Sequence, residues 1–323
     1  MTPSDITSLA VFGGSGKLGR ALVPHLLARG IAIRAMIHST PLSLDAAGLT
    51  QLQGDVRNRA DVAATLDGVD AVLCLATTKE DPETFFDVSI RGTFNILDEC
   101  RNLPGLKQVI LAGGDAAVGI WFYPHAEPIS EQHPLMAYPG YYAFSKVMEE
   151  VVVGQHHTQY GIPTTILRMS WIFQQDDILG HLSLRNLNPA EKGHGWDDYL
   201  TDEHRAILDR GDNRIPILIN QDGLPYTRHI VQLADVVHAF DVALGADAAI
   251  GETFHIAAPR AFRYDEAAGY LSGKTGIPTC EITAGGYHGF EIDVSKARYV
   301  LGYNPRYDIH GIIDEALVWK TTH

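Results

Sequence analysis

Short runs of apolar, β-prone residues alternate with amphipathic stretches over the first half of the chain. Six runs are predicted as strands, at residues 6–12, 31–37, 49–53, 69–76, 107–112 and 163–170. The stretches between them predict a helix that follows the glycine-rich turn at 13–19 and runs through residue 29, and further helices at residues 57–66, 83–101 and 141–160. Because the strands alternate with helices, the pattern predicts an α/β fold with a doubly wound parallel sheet.

The pattern changes after Trp171. Residues 174–222 are polar and aromatic, rich in Asp, Asn and His, and predict an inserted segment of helices and loops. Apolar periodicity then returns, and it predicts a helix at 229–244, a strand at 252–257, a helix at 264–274 and a closing helix within 293–320. We therefore expect the chain to divide near residue 173, with 229–257 returning to the first sheet.

Composition and charge narrow the possible partners. The 323 residues include 46% apolar and 20% charged residues and carry a formal net charge of −14, as in an ordinary globular protein. An acidic protein gains nothing from the phosphate electrostatics that drive nucleic-acid binding, so neither nucleic acid nor an anionic membrane is an expected partner. No apolar run is long enough to span a bilayer and no signal-peptide pattern precedes the first strand, so we expect a cytoplasmic protein.

Cysteines and histidines give no sign of a metal site. The three cysteines, Cys74, Cys100 and Cys280, are far apart and odd in number, which favours buried free thiols over disulfides or metal ligands. The fifteen histidines lack compact ligand spacing, so structural or solvent-exposed roles are favoured. No metal is therefore expected.

A glycine-rich turn joins the first strand to the first helix. Gly13, Gly16 and Gly19 have the spacing that lets a backbone turn tightly and lets a pyrophosphate approach a helix N-terminus. The alternative is an ordinary glycine-rich βα turn. We interpret residues 1–173 as a dinucleotide-binding Rossmann domain, and residues 174–323 as a smaller, interleaved substrate-binding subdomain. Residues predicted to bind the dinucleotide are Gly13, Ser15, Gly16, Lys17, Leu18, Gly19, His38, Asp55, Val56, Leu75 and Ala76.

The end of the second strand bears on the choice between NAD and NADP. No acid stands there to bind the adenosine ribose of NAD, and no arginine stands there to clamp a 2′-phosphate. His38, Ser39, Lys17 and Arg34 are candidates to accommodate a phosphate, so the sequence leans towards NADP with NAD left open. Asp55 is placed either to meet the adenine edge or to cap the helix at 57–66.

Tyr142 and Lys146 form the candidate catalytic pair. Residues four apart lie on one face of a helix, and an ammonium beside a phenol favours the phenolate and lowers the pKa of the tyrosine. A phenol with a lowered pKa is able to act as a general base near neutral pH.

With these motifs in order, the chain resembles the extended, epimerase/dehydratase-like branch of the short-chain dehydrogenase/reductase superfamily over nearly its whole length. Residues 88–97 are similar to the fourth-helix segment of that branch, with Ser89 where Asn is usual. Within the branch, residues 112–124 and 140–146 are most similar to uronate dehydrogenases. Further matching motifs are Leu167-Arg168, Arg228-His229-Ile230 before Asp235, and residues 293–298 before Leu301-Gly302.

The resemblance implies roles for the central residues and also shows a gap. It implies that Tyr142 is the acid/base and that Lys146 hydrogen-bonds the nicotinamide ribose. The catalytic serine or threonine of the family should follow the fifth strand, where this chain has Gly113-Gly114-Asp115. Asp115 falls at the place of the serine or beside it, and the alternative is a turn residue. Thr77 and Thr78 are candidates to supply the missing donor, the alternative being a capped strand end.

The resulting hypothesis is an NAD(P)-dependent oxidoreductase acting on a secondary alcohol or ketone of a sugar-like substrate. Two alternatives stay open: a nucleotide-sugar epimerase or dehydratase that recycles its cofactor, and a non-catalytic NAD(P)-binding sensor. Helices 83–101 and 141–160 are where the family commonly dimerises, so a homodimer is expected. Residues predicted to contact the substrate are Thr78, Asp115, Ser170, Trp171 and Arg228.

Overall fold

The computed structural model describes residues 6–126, 128–186 and 196–323, without the side chains of Trp196 and Asp197. The strands formed by these residues are β1 (Ser8–Phe12), β2 (Ala32–Ile37), β3 (Leu49–Gln53), β4 (Ala71–Cys74), β5 (Gln108–Gly114), β6 (Thr164–Met169), β7 (Trp171–Phe173), β8 (Ile215–Ile219), β9 (Thr227–Arg228), β10 (Ile230–Gln232), β11 (Glu252–Ile256), β12 (Phe262–Arg263) and β13 (Thr279–Thr283). The α-helices are α1 (Lys17–Ala28), α2 (Arg59–Leu66), α3 (Gly92–Cys100), α4 (Tyr141–Tyr160), α5 (Asp177–His181), α6 (Asp202–Asp209), α7 (Leu233–Ala243), α8 (Tyr264–Thr275) and α9 (Ile309–Thr322).

Seven parallel strands form the central sheet, in the order β11-β6-β5-β4-β1-β2-β3. β1 lies between β2 and β4, and its Leu9 lies opposite Ile33 of β2 on one side and Ala71 of β4 on the other. The strand order reverses direction at β1 and β4, so a crevice opens beyond their carboxyl ends. The predicted doubly wound Rossmann fold is confirmed.

Both faces of the sheet are covered, which explains the continuous apolar runs. In β1, Leu9 and Val11 pack in one core with side chains of α1 and α7. Ala10 and Phe12, which alternate with them, pack in a second core with side chains of α2 and α3. The period of two therefore presents apolar side chains to both layers of helices.

A third core lies in the C-terminal part and includes side chains of α8 and α9. Beneath α8, β8 pairs in parallel with β13, so that Ile215 lies opposite Thr279. The prediction of helices and loops throughout 174–222 is wrong at β8, because this short apolar run is stabilised by pairing with a distant strand. Residues 187–195 of the predicted insertion lie outside the described residues.

Three predicted helices begin later than expected. Asn58, not Asp55, caps α2, and its side chain accepts a hydrogen bond from the Ala60 amide at 3.0 Å. Residues 86–91 form a π-helical turn before α3, and 230–232 form β10 before α7. The π-helical turn and β10 bury apolar side chains, as the helices that follow them do. The apolar periodicity therefore does not show where each α-helix begins.

Strand β11 pairs with β6 and adds the seventh strand to the central sheet. Among the described residues, no helix combines the length and the apolar character needed to cross a membrane.

Candidate active site

The turn after β1 packs directly on the end of β4. Gly13 has a φ of +88°, and a Cβ placed on it would lie 2.6 Å from the Ala76 amide nitrogen. Gly19 in α1 is as crowded, since a Cβ there would lie 2.2 Å from the Gly14 carbonyl oxygen. Both positions therefore require glycine, because any side chain would separate the turn from β4 or α1 from the turn.

The N-terminus of α1 is open to a ligand. Gly16 is the N-cap residue, and no side chain caps the helix there. A Cβ on Gly16 would meet only the Gly13 carbonyl oxygen, at 3.4 Å, and both Gly16 and Lys17 are exposed. Free amide groups at a helix N-terminus bind phosphate, so the predicted pyrophosphate site fits these residues. Leu18, by contrast, is buried in the core beneath the turn.

The site predicted for the adenosine differs from expectation. The Arg34 guanidinium donates to the carbonyls of Thr65 and Ala64, and the Lys17 ammonium pairs with Asp177 at 2.7 Å. Neither cation is directed to the end of β2, so their proposed part in holding a 2′-phosphate is corrected. Both are held by partners that the sequence alone did not indicate.

Arg57 is the cation that lies at this end of the sheet. Its guanidinium contacts both carboxylate oxygens of Asp55, with Nε at 3.0 and 2.9 Å from them, and this contact lowers the pKa of Asp55. His38 Nε2 lies 3.5 Å from the same carboxylate. Val56 is buried against Gly92, where a Cβ would lie 2.7 Å from it. Asp55 is thus fixed by its neighbours at the crevice.

The segment after β4 is held by Ser89, which is fully buried in the π-helical turn. The Ser89 hydroxyl accepts from the Thr78 amide at 3.1 Å and lies 3.2 Å from the Thr77 hydroxyl. The Thr78 hydroxyl is buried and has no hydrogen-bond partner among the described residues. Of the two threonines, Thr78 is therefore the one whose hydroxyl is available to a ligand, and it lies beyond Leu75 and Ala76, which are partly buried.

Tyr142 lies at the start of α4, where the helix meets this segment. Glu80 accepts from the Tyr141 amide at 2.9 Å and so links the loop after β4 to the helix N-terminus. Lys146, one turn further on, donates to the Ala112 carbonyl at 3.1 Å and to Glu149 at 2.7 Å. Its Nζ lies 5.6 Å from the centre of the Tyr142 ring. The predicted pair does share one helix face.

The expected effect of Lys146 on Tyr142 is not what the structure shows. Burial raises the pKa of Tyr142, and the Asp115 and Glu149 carboxylates raise it further. Lys146 does not reverse this because its ammonium is held by Glu149, which is buried like Lys146 itself. The prediction of a lowered tyrosine pKa is corrected: the phenol is protonated at neutral pH.

Gly114, the last residue of β5, lies beside the tyrosine hydroxyl. A Cβ on Gly114 would lie 3.3 Å from Tyr142 Oη, so a serine there would place its hydroxyl in contact with the tyrosine. Asp115 lies beside this position, in the first turn after β5. Its carboxylate is 2.8 Å from the Ser170 hydroxyl, and burial raises the pKa of Asp115 to about 6.

Arg228 lies between two tryptophan rings. Its guanidinium carbon is 4.8 Å from the centre of the Trp121 ring and 4.4 Å from that of Trp171. Its Nε is buried and has no hydrogen-bond partner among the described residues, while Nη1 lies 3.4 Å from Tyr264 Oη. Trp121 itself has a φ of +70°, a conformation that bulky residues rarely adopt. Arg228, held between these rings, gives this side of the site a positive charge and lies close enough to Asp115 to favour its charged form.

Several residues at the site were missed from the sequence. Tyr138 lies within electrostatic range of Asp115, Tyr142 and Arg228 and stacks on Phe122 at 4.5 Å. Glu149 carries the one available signal, its spacing of three from Lys146 on a helix. Tyr138 lies in a loop and has no such signal. In the part of the chain that the structure describes, no group of three or more His, Cys, Asp or Glu side chains is arranged to hold a metal ion.

The crevice, the glycine turn and the Tyr142–Lys146 pair define a Rossmann protein built for a dinucleotide. The sequence model of the NAD dependent epimerase/dehydratase family matches residues 9–257, and the chain belongs to that family. This confirms the resemblance to the extended short-chain dehydrogenase/reductase branch.

Curated relatives include a uronate dehydrogenase from Pseudomonas putida, 28% identical over 54% of this chain and 65% of its own length. The human sterol-4-alpha-carboxylate 3-dehydrogenase, decarboxylating, is 30% identical over 52% of this chain and 45% of its own. The chain spans about half the length of most curated relatives it matches.

Among solved structures, a short-chain dehydrogenase/reductase superfamily protein from Agrobacterium tumefaciens with bound NAD has a TM-score of 0.83 at 22% identity, over 98% of this chain and 97% of that one. The UDP-glucuronic acid 4-epimerase from Bacillus cereus, in complex with NAD, has a TM-score of 0.73 at 20% identity, over 98% and 99%. At these identities the likeness concerns the fold.

Proposed function

We propose that the protein is an NAD(P)-dependent oxidoreductase that interconverts a secondary alcohol and a ketone on a small, acidic, sugar-like substrate. The main support for this proposal is that Tyr142 Oη lies beside Gly114, which has no side chain. Both lie at the same edge of the sheet as the glycine turn. A substrate oxygen at the place that a Gly114 side chain would take is within reach of the phenol.

Each side chain of the site has its own role in the proposed reaction. The bound dinucleotide supplies the hydride acceptor or donor. Tyr142 exchanges the proton of the substrate oxygen, and its raised pKa suits it to give that proton to a forming alcohol. Lys146 uses two of its three hydrogens on Ala112 and Glu149, so one remains for a ribose hydroxyl. Thr78 binds a neighbouring polar group of the substrate through its unpartnered hydroxyl.

Arg228 supports an acidic substrate. A guanidinium stacked between Trp121 and Trp171, with a buried unpartnered Nε, is suited to a substrate carboxylate. Two relatives are named for carboxylate-bearing compounds, the uronate dehydrogenase and the sterol carboxylate dehydrogenase. The hydrogen-bonding groups at the site, among them the unpartnered Thr78 hydroxyl, favour a sugar acid over a sterol acid.

For the cofactor we propose a preference for NADP. The end of β2 lacks an acid that would bind the NAD ribose and repel a 2′-phosphate. His38 and Arg57 lie together at this end of the sheet, both beside Asp55, where their N–H groups can donate hydrogen bonds to a 2′-phosphate.

We also propose that two copies of the chain pair through α3 and α4. Large apolar side chains are exposed there on both helices, including Phe94, Phe144 and Val151. Soluble proteins rarely leave such a group uncovered.

A substrate panel tests the proposed function. Sugars, sugar acids and their lactones are incubated with NAD, NADP and the reduced cofactors, and the nicotinamide absorbance is followed. We expect turnover of a sugar acid or its lactone, faster with the NADP pair. Isomerised sugar without any net change in absorbance would instead indicate an epimerase that recycles its cofactor. Cofactor binding without turnover of any compound would indicate a sensor.

A further inference from the structure

The position that would carry a serine hydroxyl carries none. Gly114 has an ordinary extended φ of −149°, so its backbone does not require glycine, and a Cβ there would be 3.3 Å from Tyr142 Oη. The reaction proposed above therefore lacks the second hydrogen-bond donor that would hold the substrate oxygen against the phenol. The next residue, Asp115, is the nearest polar side chain along the strand.

The hydrogen bonds around Ser170 contain one acceptor too many for an ionised Asp115. The Ser170 hydroxyl lies 2.8 Å from Asp115 Oδ2 and 2.7 Å from the His229 carbonyl oxygen. A hydroxyl has one hydrogen, and a carbonyl oxygen only accepts. If Asp115 is ionised, Ser170 faces two acceptors in a buried place and satisfies only one of them fully.

A hydrogen on Asp115 removes this conflict. Asp115 then donates to Ser170, and Ser170 donates to the His229 carbonyl, so the Ser170 hydroxyl no longer faces two acceptors with one hydrogen. Ser170 and His229 are both almost fully buried, which leaves little water to supply the missing hydrogen.

We propose that Asp115 acts as a neutral carboxylic acid and replaces the missing serine, donating to Ser170 in the free protein and to the substrate oxygen during the reaction. This inference rests on the proposed function. No proton leaves Asp115 in the step: Tyr142 exchanges the proton, hydride passes between the substrate carbon and the dinucleotide, and Asp115 only holds the oxygen.

The surrounding charges do not hold the pKa of Asp115 at its ordinary value. Arg228 of β9, Arg168 of β6 and the Ala116 amide all favour the carboxylate, as does the hydrogen bond with Ser170. Burial opposes them and is the largest effect, so the pKa of Asp115 is raised to about 6. The neighbouring phenols of Tyr142 and Tyr138 are neutral, and a covering substrate excludes more water, which raises the pKa of a carboxyl further.

Titration of the carboxyl groups tests the protonation state without any substrate. The full chain is labelled with ¹³C at the aspartate carboxyls and followed by NMR from pH 4 to 8. The resonance of Asp115 is identified by its absence in Asp115→Asn, and that of Asp235, which is also buried, by its absence in Asp235→Asn. We expect the Asp115 resonance to titrate near pH 6. A midpoint closer to the ordinary aspartate value of about 3.9 than to 6, or no titration within this range, overturns the proposal.

Kinetics test the donor role with a compound that the wild type reduces and Tyr142→Phe does not. Asp115→Asn, whose amide also donates, is expected to keep most of kcat/KM and to lose its decline above pH 6. Asp115→Ala is expected to lose about 100-fold in kcat, as when one donor to a developing oxyanion is removed. Equal loss in both variants overturns the proposal.

A rescue variant separates the donor role from a structural one. Gly114→Ser supplies the hydroxyl beside Tyr142 and is expected to restore at least about tenfold of the activity lost in Asp115→Ala. No rescue, with Gly114→Ser active by itself, contradicts the proposal. If the wild type reduces no compound of the panel, the proposed function fails, and the NMR titration still decides the state of Asp115.

Discussion

Two buried carboxyl groups act on the phenol of Tyr142. Asp115 follows the strand that ends beside the phenol, and Glu149 lies in the same helix as Tyr142, where it binds Lys146 at 2.7 Å. Both raise the pKa of the tyrosine. Lys146 and Glu149 form an ion pair without net charge, so the ammonium contributes less to the phenolate than an unpaired lysine would.

Replacing Glu149 by Gln is expected to shift the pH dependence of alcohol oxidation. The phenolate form accepts the proton in that direction, so kcat/KM rises with pH as Tyr142 ionises. Removing the Glu149 charge favours the phenolate, which lowers the pKa of Tyr142 and moves the rising limb to lower pH. Steady-state rates from pH 6 to 10, taken in an Asp115→Asn background so that Asp115 does not titrate in the same range, measure the shift.

Glu150→Gln is the matched control. Glu150 is the next residue on the helix, equally buried, and pairs with Arg168 at 2.7 Å rather than with Lys146. Its loss should lower the thermal stability, because it leaves a buried guanidinium unpaired, while the limb stays in place. An unshifted limb in Glu149→Gln would show that Glu149 has no influence on the phenol.

At the scale of elements, the contact between the glycine turn and β4 positions the cofactor site. Gly13 and Gly30 both have positive φ, at +88° and +82°, but only Gly13 touches another element. Each therefore needs the left-handed conformation that glycine adopts freely, whereas Gly13 also needs the absence of a side chain.

Gly13→Ala and Gly30→Ala separate these two requirements. Gly30→Ala is expected to cost only the strain of a left-handed alanine, about 1 kcal/mol, and to keep cofactor binding. Gly13→Ala adds a clash with the Ala76 backbone and is expected to lower Tm further and to abolish the stabilisation by added NAD or NADP. Thermal unfolding with and without cofactor measures both effects. Equal behaviour of the two variants would contradict the packing account of the turn.

The sequence predicted the elements whose pattern is local and missed those that depend on distant partners. β1 to β6 are recognisable because each is a short apolar run bounded by turn residues. β8 is stabilised by β13, some sixty residues further on, and no residue near β8 in the sequence indicates that pairing. At the site, Tyr142 and Lys146 follow from helical spacing, whereas the approach of Gly114 to Tyr142 Oη depends on how α4 lies against β5.

At the scale of the whole molecule, the proposed dimer rests on the exposed apolar face of α3 and α4. Phe144 and Val151 are seven residues apart on α4, two turns along one face, and both are exposed. Burying this face against a second copy would remove large apolar side chains from water.

Val151→Asp is expected to convert the dimer into a monomer, because a carboxylate in the centre of an apolar interface is costly to bury. Val300→Asp is the control, since Val151 and Val300 are both 41% exposed but Val300 lies in the helical turn at 297–301, outside α3 and α4. Sedimentation equilibrium of the three proteins gives their masses. A wild-type monomer, or a dimer that survives Val151→Asp, would contradict pairing through this face.

The central claim is that Tyr142 exchanges the proton of the substrate oxygen. The most direct measurement compares the wild type with Tyr142→Phe on the best compound of the substrate panel, together with calorimetric binding of the cofactor to both. The account predicts that turnover is lost in Tyr142→Phe while the affinity for the cofactor is unchanged. Turnover retained in Tyr142→Phe would contradict it.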